Sequence, residues 1–109
     1  MTDSFARYVV QQHETLEAAM LLIDENRHRS VIVLDGDVVV GTLSDGDIRK
    51  AILDRRLLTT PVERVMHTNF VSVRPDERER ARELFDSEDF FLIPVVDDDG
   101  KLLDIEAAY

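Results

Sequence analysis

Gly41-Thr42-Leu43-Ser44-Asp45-Gly46-Asp47-Ile48-Arg49-Lys50-Ala51-Ile52 is the stretch whose reading decides the fold. Val38, Val39 and Val40 lead into it as a β-branched strand, and Ile48, Ala51 and Ile52 leave it at i, i+3, i+4, the buried stripe of a helix. Between strand and helix stand one hydroxyl, two carboxylates and a glycine. A strand-to-helix junction presents free backbone N–H groups and a helix N-terminus, which suit an anion. Asp47 adds a fixed acceptor for sugar hydroxyls. A nucleotide fits this combination, its phosphate near the helix end and its ribose on the carboxylate. Ser44 and Asp47 also suit a plain helix start, Ser44 as N-cap and Asp47 as a first-turn acid favoured by the helix dipole.

Working outward, the chain repeats itself. Shifted by 62 residues, Ala19 lies against Ala81, Leu22 against Leu84, Asp24 against Asp86, and Val31-Ile32-Val33-Leu34-Asp35 against Ile93-Pro94-Val95-Val96-Asp97. The turn Asp35-Gly36-Asp37 meets Asp97-Asp98-Asp99-Gly100, one residue longer, so Val39-Val40 meets Leu102-Leu103 at an offset of 63. Each half reads as strand, amphipathic helix, strand, turn, strand, and a further helix follows in the first half. Neither half has enough apolar residues for its own core, so the two are expected to pack together.

The pattern predicts a strand at Tyr8–Val10, a helix from Glu14 to about Arg27, strands at Val31–Leu34 and Val38–Leu43, and a helix from Asp45 to about Arg55. Thr60 and Pro61 read as N-cap and first residue of another helix. Phe70–Val73 reads as the strand opening the second half. A helix from Pro75-Asp76 with Ala81, Leu84 and Phe85 inward, then strands at Ile93–Val96 and Leu102–Ile105, complete the chain. The fold class expected is α+β (α/β-like): tandem β-α-β-β-α units, 1–60 and 61–109, packed about a pseudo-two-fold, the second ending early.

Charge narrows the partners. Thirteen Lys and Arg stand against 23 Asp and Glu, a net of −10. That balance argues against nucleic acid, whose phosphates need a basic face. There is no cysteine, so no disulfide and no thiolate metal site. No apolar run is long enough to span a membrane, and the first residues lack a signal peptide's apolar stretch, which makes the cytoplasm the expected location. His13, His28 and His67 are scattered, so no zinc site is expected. Asp97–Asp99 lacks the alternating acids and closing Glu of a calcium loop and reads as a hairpin turn. Arg27, His28, Arg29, Arg49 and Lys50 are the cations placed to meet phosphate, or else form a solvated face. No Ser/His/Asp set, Cys nucleophile or Gly-rich phosphate loop is present, so no catalytic residue is assigned and the chain alone is not expected to be an enzyme.

A duplicated unit with Gly-x-x-Ser/Thr-x-x-Asp after its strand pair resembles the CBS domain pair, or Bateman module. The motif stands here as Gly41 to Asp47, and Ile93-Pro94-Val95-Val96-Asp97 resembles the family's Pro-Val-Val-Asp strand. The resemblance covers about Tyr8 to Ile105. It implies regulation by an adenosine-containing ligand in the cleft between the units, AMP, ADP or ATP, with no resident cofactor. Carried over, Asp47 holds the ribose and Ser44 a phosphate. The expected ligand-binding set is Gly41, Thr42, Ser44, Asp45, Asp47 and Arg49. In the second half Gly41 is replaced by Asp104 and Ser44 by Ala107, and Asp47's counterpart would be residue 110, so one well-formed site per chain is expected. The wording Gly-Thr-Leu-Ser-Asp-Gly-Asp-Ile-Arg-Lys looks like modules attached to sugar-phosphate nucleotidyltransferases and isomerases, which implies a covalently attached catalytic domain, a nucleotidyltransferase first. The alternative is a structural module that homodimerises its parent through the CBS helices, using apolar residues such as Ile48, Ile52 or Phe85.

Overall fold

The computed structural model describes residues 5–87 and 90–109; residues 1–4 of the first expected unit and 88–89 of the second lie outside the described residues. The first half contains β1 (Val9–Gln11), α1 (Leu16–Asn26), β2 (Ser30–Asp35), β3 (Val38–Ser44) and α2 (Asp45–Leu53). The second contains α3 (Arg78–Ser87), β4 (Leu92–Val96) and β5 (Leu102–Ala107). β1 pairs parallel to β2, β2 antiparallel to β3, and β4 antiparallel to β5.

Local chemistry accounts for the first hairpin and its helices. Gly36 takes a left-handed φ of 67° in the β2–β3 turn, where a side chain would be strained. The Gln11 amide clamps that turn, donating to the Gly36 carbonyl at 2.8 Å and accepting from its N–H at 2.9 Å. Thr15 caps α1 by accepting from the Ala18 N–H at 3.1 Å. The helix starts two residues later than expected, because Glu14 instead accepts from the Gln11 N–H at 2.8 Å. β2 is central to its sheet and buried on both faces. Val31 and Val33 join Leu16, Ala19, Ile23, Leu43 and Ile48 in the core of the first half. Ile32 and Leu34, on the opposite face, join Val39 with Leu92, Val96 and Leu102. That second cluster draws on both halves, as the scarcity of apolar residues requires.

The duplication is visible in the ladders. Ser30 faces Ser44 as Leu92 faces Ala107, and each hairpin shifts register at one place, Val33/Leu34 and Val95/Val96. The Asp45 N–H donates to the Arg29 carbonyl at 2.9 Å, and its counterpart, the Ala108 N–H, donates to Phe91 at 3.0 Å.

Two expected elements are absent, for identifiable reasons. Phe70–Val73 is not a strand; only Val73 bridges β4, at Val95. In the first half the Ile32 N–H donates to the Tyr8 carbonyl at 2.7 Å. Shifted by 62, that bond would run from Pro94 to Phe70, and proline has no N–H to give. Thr60-Pro61 does not begin an α-helix either. The Leu16 N–H donates to the Thr60 carbonyl at 2.9 Å and the Val62 N–H to Glu14 at 2.8 Å, so 60–62 lie extended along the start of α1. Only a single 3-10 turn, Val62–Arg64, follows, with Pro61 before it and no side-chain cap.

The second hairpin turn carries a titratable clamp. The Asp97 carboxylate accepts the N–H groups of Asp99 and Lys101, each at 2.9 Å. The Lys101 N–H is the chief cause of a pKa below the ordinary carboxylate range; slight desolvation opposes it, and the Asp99 N–H adds to the lowering. A carboxyl whose folded pKa is depressed contributes stability that is present above its unfolded pKa and lost as pH falls through the folded value. Stability measured by urea unfolding is therefore expected to be flat near neutrality and to decline below about pH 4. Asp97→Asn is expected to be less stable than the native chain near pH 7 and to show a shallower acid decline.

Candidate functional site

β3 alternates, with Val39, Gly41 and Leu43 buried and Val40, Thr42 and Ser44 half-buried. Thr42 and Ser44 line a cleft at the seam of the two halves. Its floor includes Ser30 on β2, and its far wall is aromatic, from Phe70 before the second half and Phe90 and Phe91 at the entry to β4. His67 closes one edge, held by an exchange of backbone bonds with Thr42 at 3.0 and 2.8 Å. The Arg29 guanidinium lies 5.5 Å from the centre of the Phe91 ring, a cation on an aromatic face joining the halves. The cleft measures about 80 Å³. Pockets that hold small ligands run to roughly 300–1,000 Å³, so a nucleotide requires the halves to part.

The motif also builds a helix cap. The Ser44 Oγ accepts from the Asp47 N–H at 3.1 Å, and the Asp47 Oδ2 accepts from the Ser44 N–H at 2.9 Å. Such a reciprocal cap is worth about 1 kcal/mol. It uses Ser44 as acceptor, leaving the hydroxyl proton for a ligand, and it uses only one of the two Asp47 oxygens. The cap and the ligand readings of these two residues are thus chemically compatible.

The six expected residues do not form one cluster. Thr42 and Ser44 reach the cleft, and Asp47, tied to Ser44 by the cap, stands behind it and is not among the lining residues. Gly41 lies under the chain linking the halves, where an added Cβ would stand 2.8 Å from the Met66 sulfur and 3.0 Å from the His67 carbonyl. Asp45 and Arg49, four apart on α2, share the face turned toward α1. They line an open groove of about 690 Å³ with Met20, Leu21, Ile52 and Leu58. That groove is far larger than the cleft, but its lining is mainly aliphatic and it lacks the motif hydroxyls, so it reads as a packing face. Asp45 also borders a hollow with Asp24, Arg27 and Arg29. Of the buried stripe expected on α2, Ile48 and Ala51 lie in the first-half core at 4 and 5% exposed, and Ile52 is 45% exposed; burial leaves Ile48 unavailable to a dimer face, and Phe85 is half-buried beside the second-half core.

Sequence reasoning missed His67 and the aromatic wall. The signal was available for the wall, since Phe70, Phe90 and Phe91 are three of the chain's five phenylalanines and are the counterparts of Tyr8, His28 and Arg29. In the second half Asp104, in place of Gly41, meets Arg78 Nη1 at 2.8 Å, and Glu106 meets the same atom at 3.0 Å. Burial raises the Asp104 pKa, but the hydrogen bonds from Arg78 and the Ile105 N–H, with the Arg78 charge, outweigh it and leave the carboxyl below its ordinary value. No helix among the described residues is long and apolar enough to cross a membrane. No three His, Asp or Glu side chains among them gather as metal ligands.

The chain resembles known proteins in sequence and in fold. The chain is 36% identical over 86 residues to arabinose 5-phosphate isomerase GutQ from Salmonella typhi, a match covering 77% of this chain and 27% of that protein. It spans only 17 to 27% of the length of the curated relatives it matches. A candidate acetoin utilization protein (AcuB) from Vibrio cholerae superimposes with a TM-score of 0.80 at 28% identity, covering 92% of this chain and 76% of that one. A CBS domain protein from Pyrobaculum aerophilum complexed with AMP superimposes at 0.75 with 19% identity, covering 92% and 79%. The CBS domain model matches residues 1–54 and again 62–105, divided where the internal repeat divides. With the duplicated hairpins, the shared core and the Gly41–Asp47 motif, this places the chain in the CBS domain family.

Proposed function

We propose that this chain is a ligand-sensing regulatory module that takes an adenine nucleotide in the cleft between its halves and controls an attached catalytic domain. The observation that carries the reading is the seam itself. Thr42 and Ser44 from the first half face Phe90 and Phe91 from the second, so one ligand touching both walls would change how the halves sit. A ligand can shift such an arrangement only by binding one form better than the other. The AMP held by the Pyrobaculum relative supports the ligand class. The aromatic wall offers a surface for a base, Ser44 a donor to phosphate, and Asp47 an acceptor for the ribose, each charge-assisted bond contributing roughly 1.5–3 kcal/mol. Asp45 and Arg49 face the α1–α2 groove and take no part in this site. The likeness to an arabinose 5-phosphate isomerase favours a sugar-phosphate isomerase as the attached domain over the nucleotidyltransferase expected from the motif wording. A cytoplasmic location accords with a nucleotide ligand.

Thermal unfolding with AMP, ADP and ATP tests the reading. Ligand at 100 times its Kd adds about 2.7 kcal/mol, which raises the midpoint by several degrees in a chain of this size. Ser44→Ala, which removes the donor to phosphate, is expected to lose most of that rise when each protein is compared with its own ligand-free midpoint. No rise with any nucleotide contradicts the proposal.

A second reading has its own observation. Leu21 and Leu53, which line the α1–α2 groove, are 66 and 76% exposed, and Ile52 beside them is 45% exposed. A homodimer through these helices would cover them. Sedimentation is expected to show association that strengthens with concentration and is weakened by Leu53→Asp; a monomer at all concentrations removes this reading.

A further inference from the structure

Two residues that are each other's counterparts in the repeat meet at the mouth of the cleft. Arg29 stands just before β2 and Phe91 just before β4. Their backbones are held alike, the Arg29 carbonyl accepting the Asp45 N–H at 2.9 Å and the Phe91 carbonyl the Ala108 N–H at 3.0 Å. Across the seam the Arg29 guanidinium carbon lies 5.5 Å from the centre of the half-buried Phe91 ring. Arg29 holds a left-handed φ of 63°. For residues other than glycine that conformation costs free energy, and it collects at ligand clamps and switches. Phe91 lines the cleft of about 80 Å³, whereas Arg29 lines an open hollow of about 380 Å³ with Ile23, Asp24, Arg27 and Asp45. Among the described residues the Arg29 guanidinium has no ion-pair partner, so its charge is spent on the ring.

The covered face of Phe91 can serve one partner at a time. A guanidinium and a planar base both bind an aromatic ring through its face. We infer that Arg29 is a latch: its guanidinium covers Phe91 and holds the cleft shut, and a planar ligand opens the cleft by taking that ring while the guanidinium swings to the carboxylates of Asp24 and Asp45. An exposed cation–aromatic contact favours the closed form by about two- to fivefold, little enough for a ligand to reverse. The hollow gives the displaced cation a second berth, so the closed and open forms each satisfy it and the ligand selects between them. Only the class of ligand rests on the proposed function; the latch itself stands on the contact.

Calorimetric titration with adenosine, which carries the base and no phosphate, tests the latch. Arg29→Asn removes the cation and suits a left-handed backbone. It is expected to bind adenosine about two- to fivefold more tightly than the native chain, and Arg29→Lys, which keeps a cation, to bind like the native chain. Asp24→Asn, outside the cleft, is expected to bind adenosine more weakly, because the displaced guanidinium loses part of its second berth. Where both proteins bind, equal or weaker binding by Arg29→Asn overturns the latch, and unchanged binding by Asp24→Asn overturns the swing. A double-mutant cycle in urea needs no ligand. Arg29→Asn is expected to raise the unfolding constant about two- to fivefold in the native chain and to leave it unchanged in Phe91→Leu. Equal effects in the two backgrounds overturn the contact. If the cycle shows this coupling while neither the native chain nor Arg29→Asn binds adenosine or AMP, the latch stands and the nucleotide reading fails.

Discussion

Gly41→Val is expected to destabilise the domain by about 3 kcal/mol, lowering its thermal midpoint by more than about 10 °C. Even the first carbon of a side chain would stand 2.8 Å from the Met66 sulfur and 3.0 Å from the His67 carbonyl. The Met66 tail can swing away, but the His67 carbonyl is backbone and is bonded to the Thr42 N–H at 3.0 Å. Either the linking chain lifts, breaking two backbone bonds worth about 1 kcal/mol each, or the side chain remains strained against it. The counterpart position tolerates Asp104, whose side chain reaches out to Arg78 instead. Within this chain the motif glycine is therefore demanded by the close approach of the linker. An unchanged midpoint contradicts that close approach.

Ile32→Ala should be comparably severe, and in a diagnostic way. Ile32 is fully buried in the cluster that joins β2 and β3 to β4 and β5. Truncating a buried isoleucine costs about 2–5 kcal/mol, a large part of the roughly 5–15 kcal/mol that holds a domain together. Because the cluster is shared, the loss should reach both halves equally. Amide exchange in β4 and β5 is expected to accelerate as much as in β2 and β3, with one urea transition throughout. Leu57→Ala, at an exposed position, should change stability by no more than about 0.5 kcal/mol. Accelerated exchange confined to the first half contradicts the shared core.

What was legible in the sequence was local. The Asp35-Gly36-Asp37 turn, the α1 stripe and the strand–turn–helix at Gly41 to Ile52 follow from neighbours along the chain, and the repeat follows from counting. The missing strand at Phe70–Val73 turns on Pro94, a residue in plain view whose consequence depends on register. The misplaced helix at Thr60-Pro61 turns on bonds to Glu14 and Leu16, far away in sequence. At the site, Thr42 and Ser44 were legible because strand alternation turns both to one side. Asp45 and Arg49 were not, because beyond Ser44 the period changes from strand to helix and turns them to α1. His67 carries no local signal, since its backbone bonds to Thr42 bring it to the cleft.

The most direct measurement is an AMP titration followed by backbone amide NMR. Binding at the seam is expected to perturb Thr42, Ser44, His67 and the Phe91–Leu92 amides together, on both sides of the cleft. Perturbations confined to the α1–α2 groove around Met20, Leu21 and Ile52, or none at all, would contradict the account.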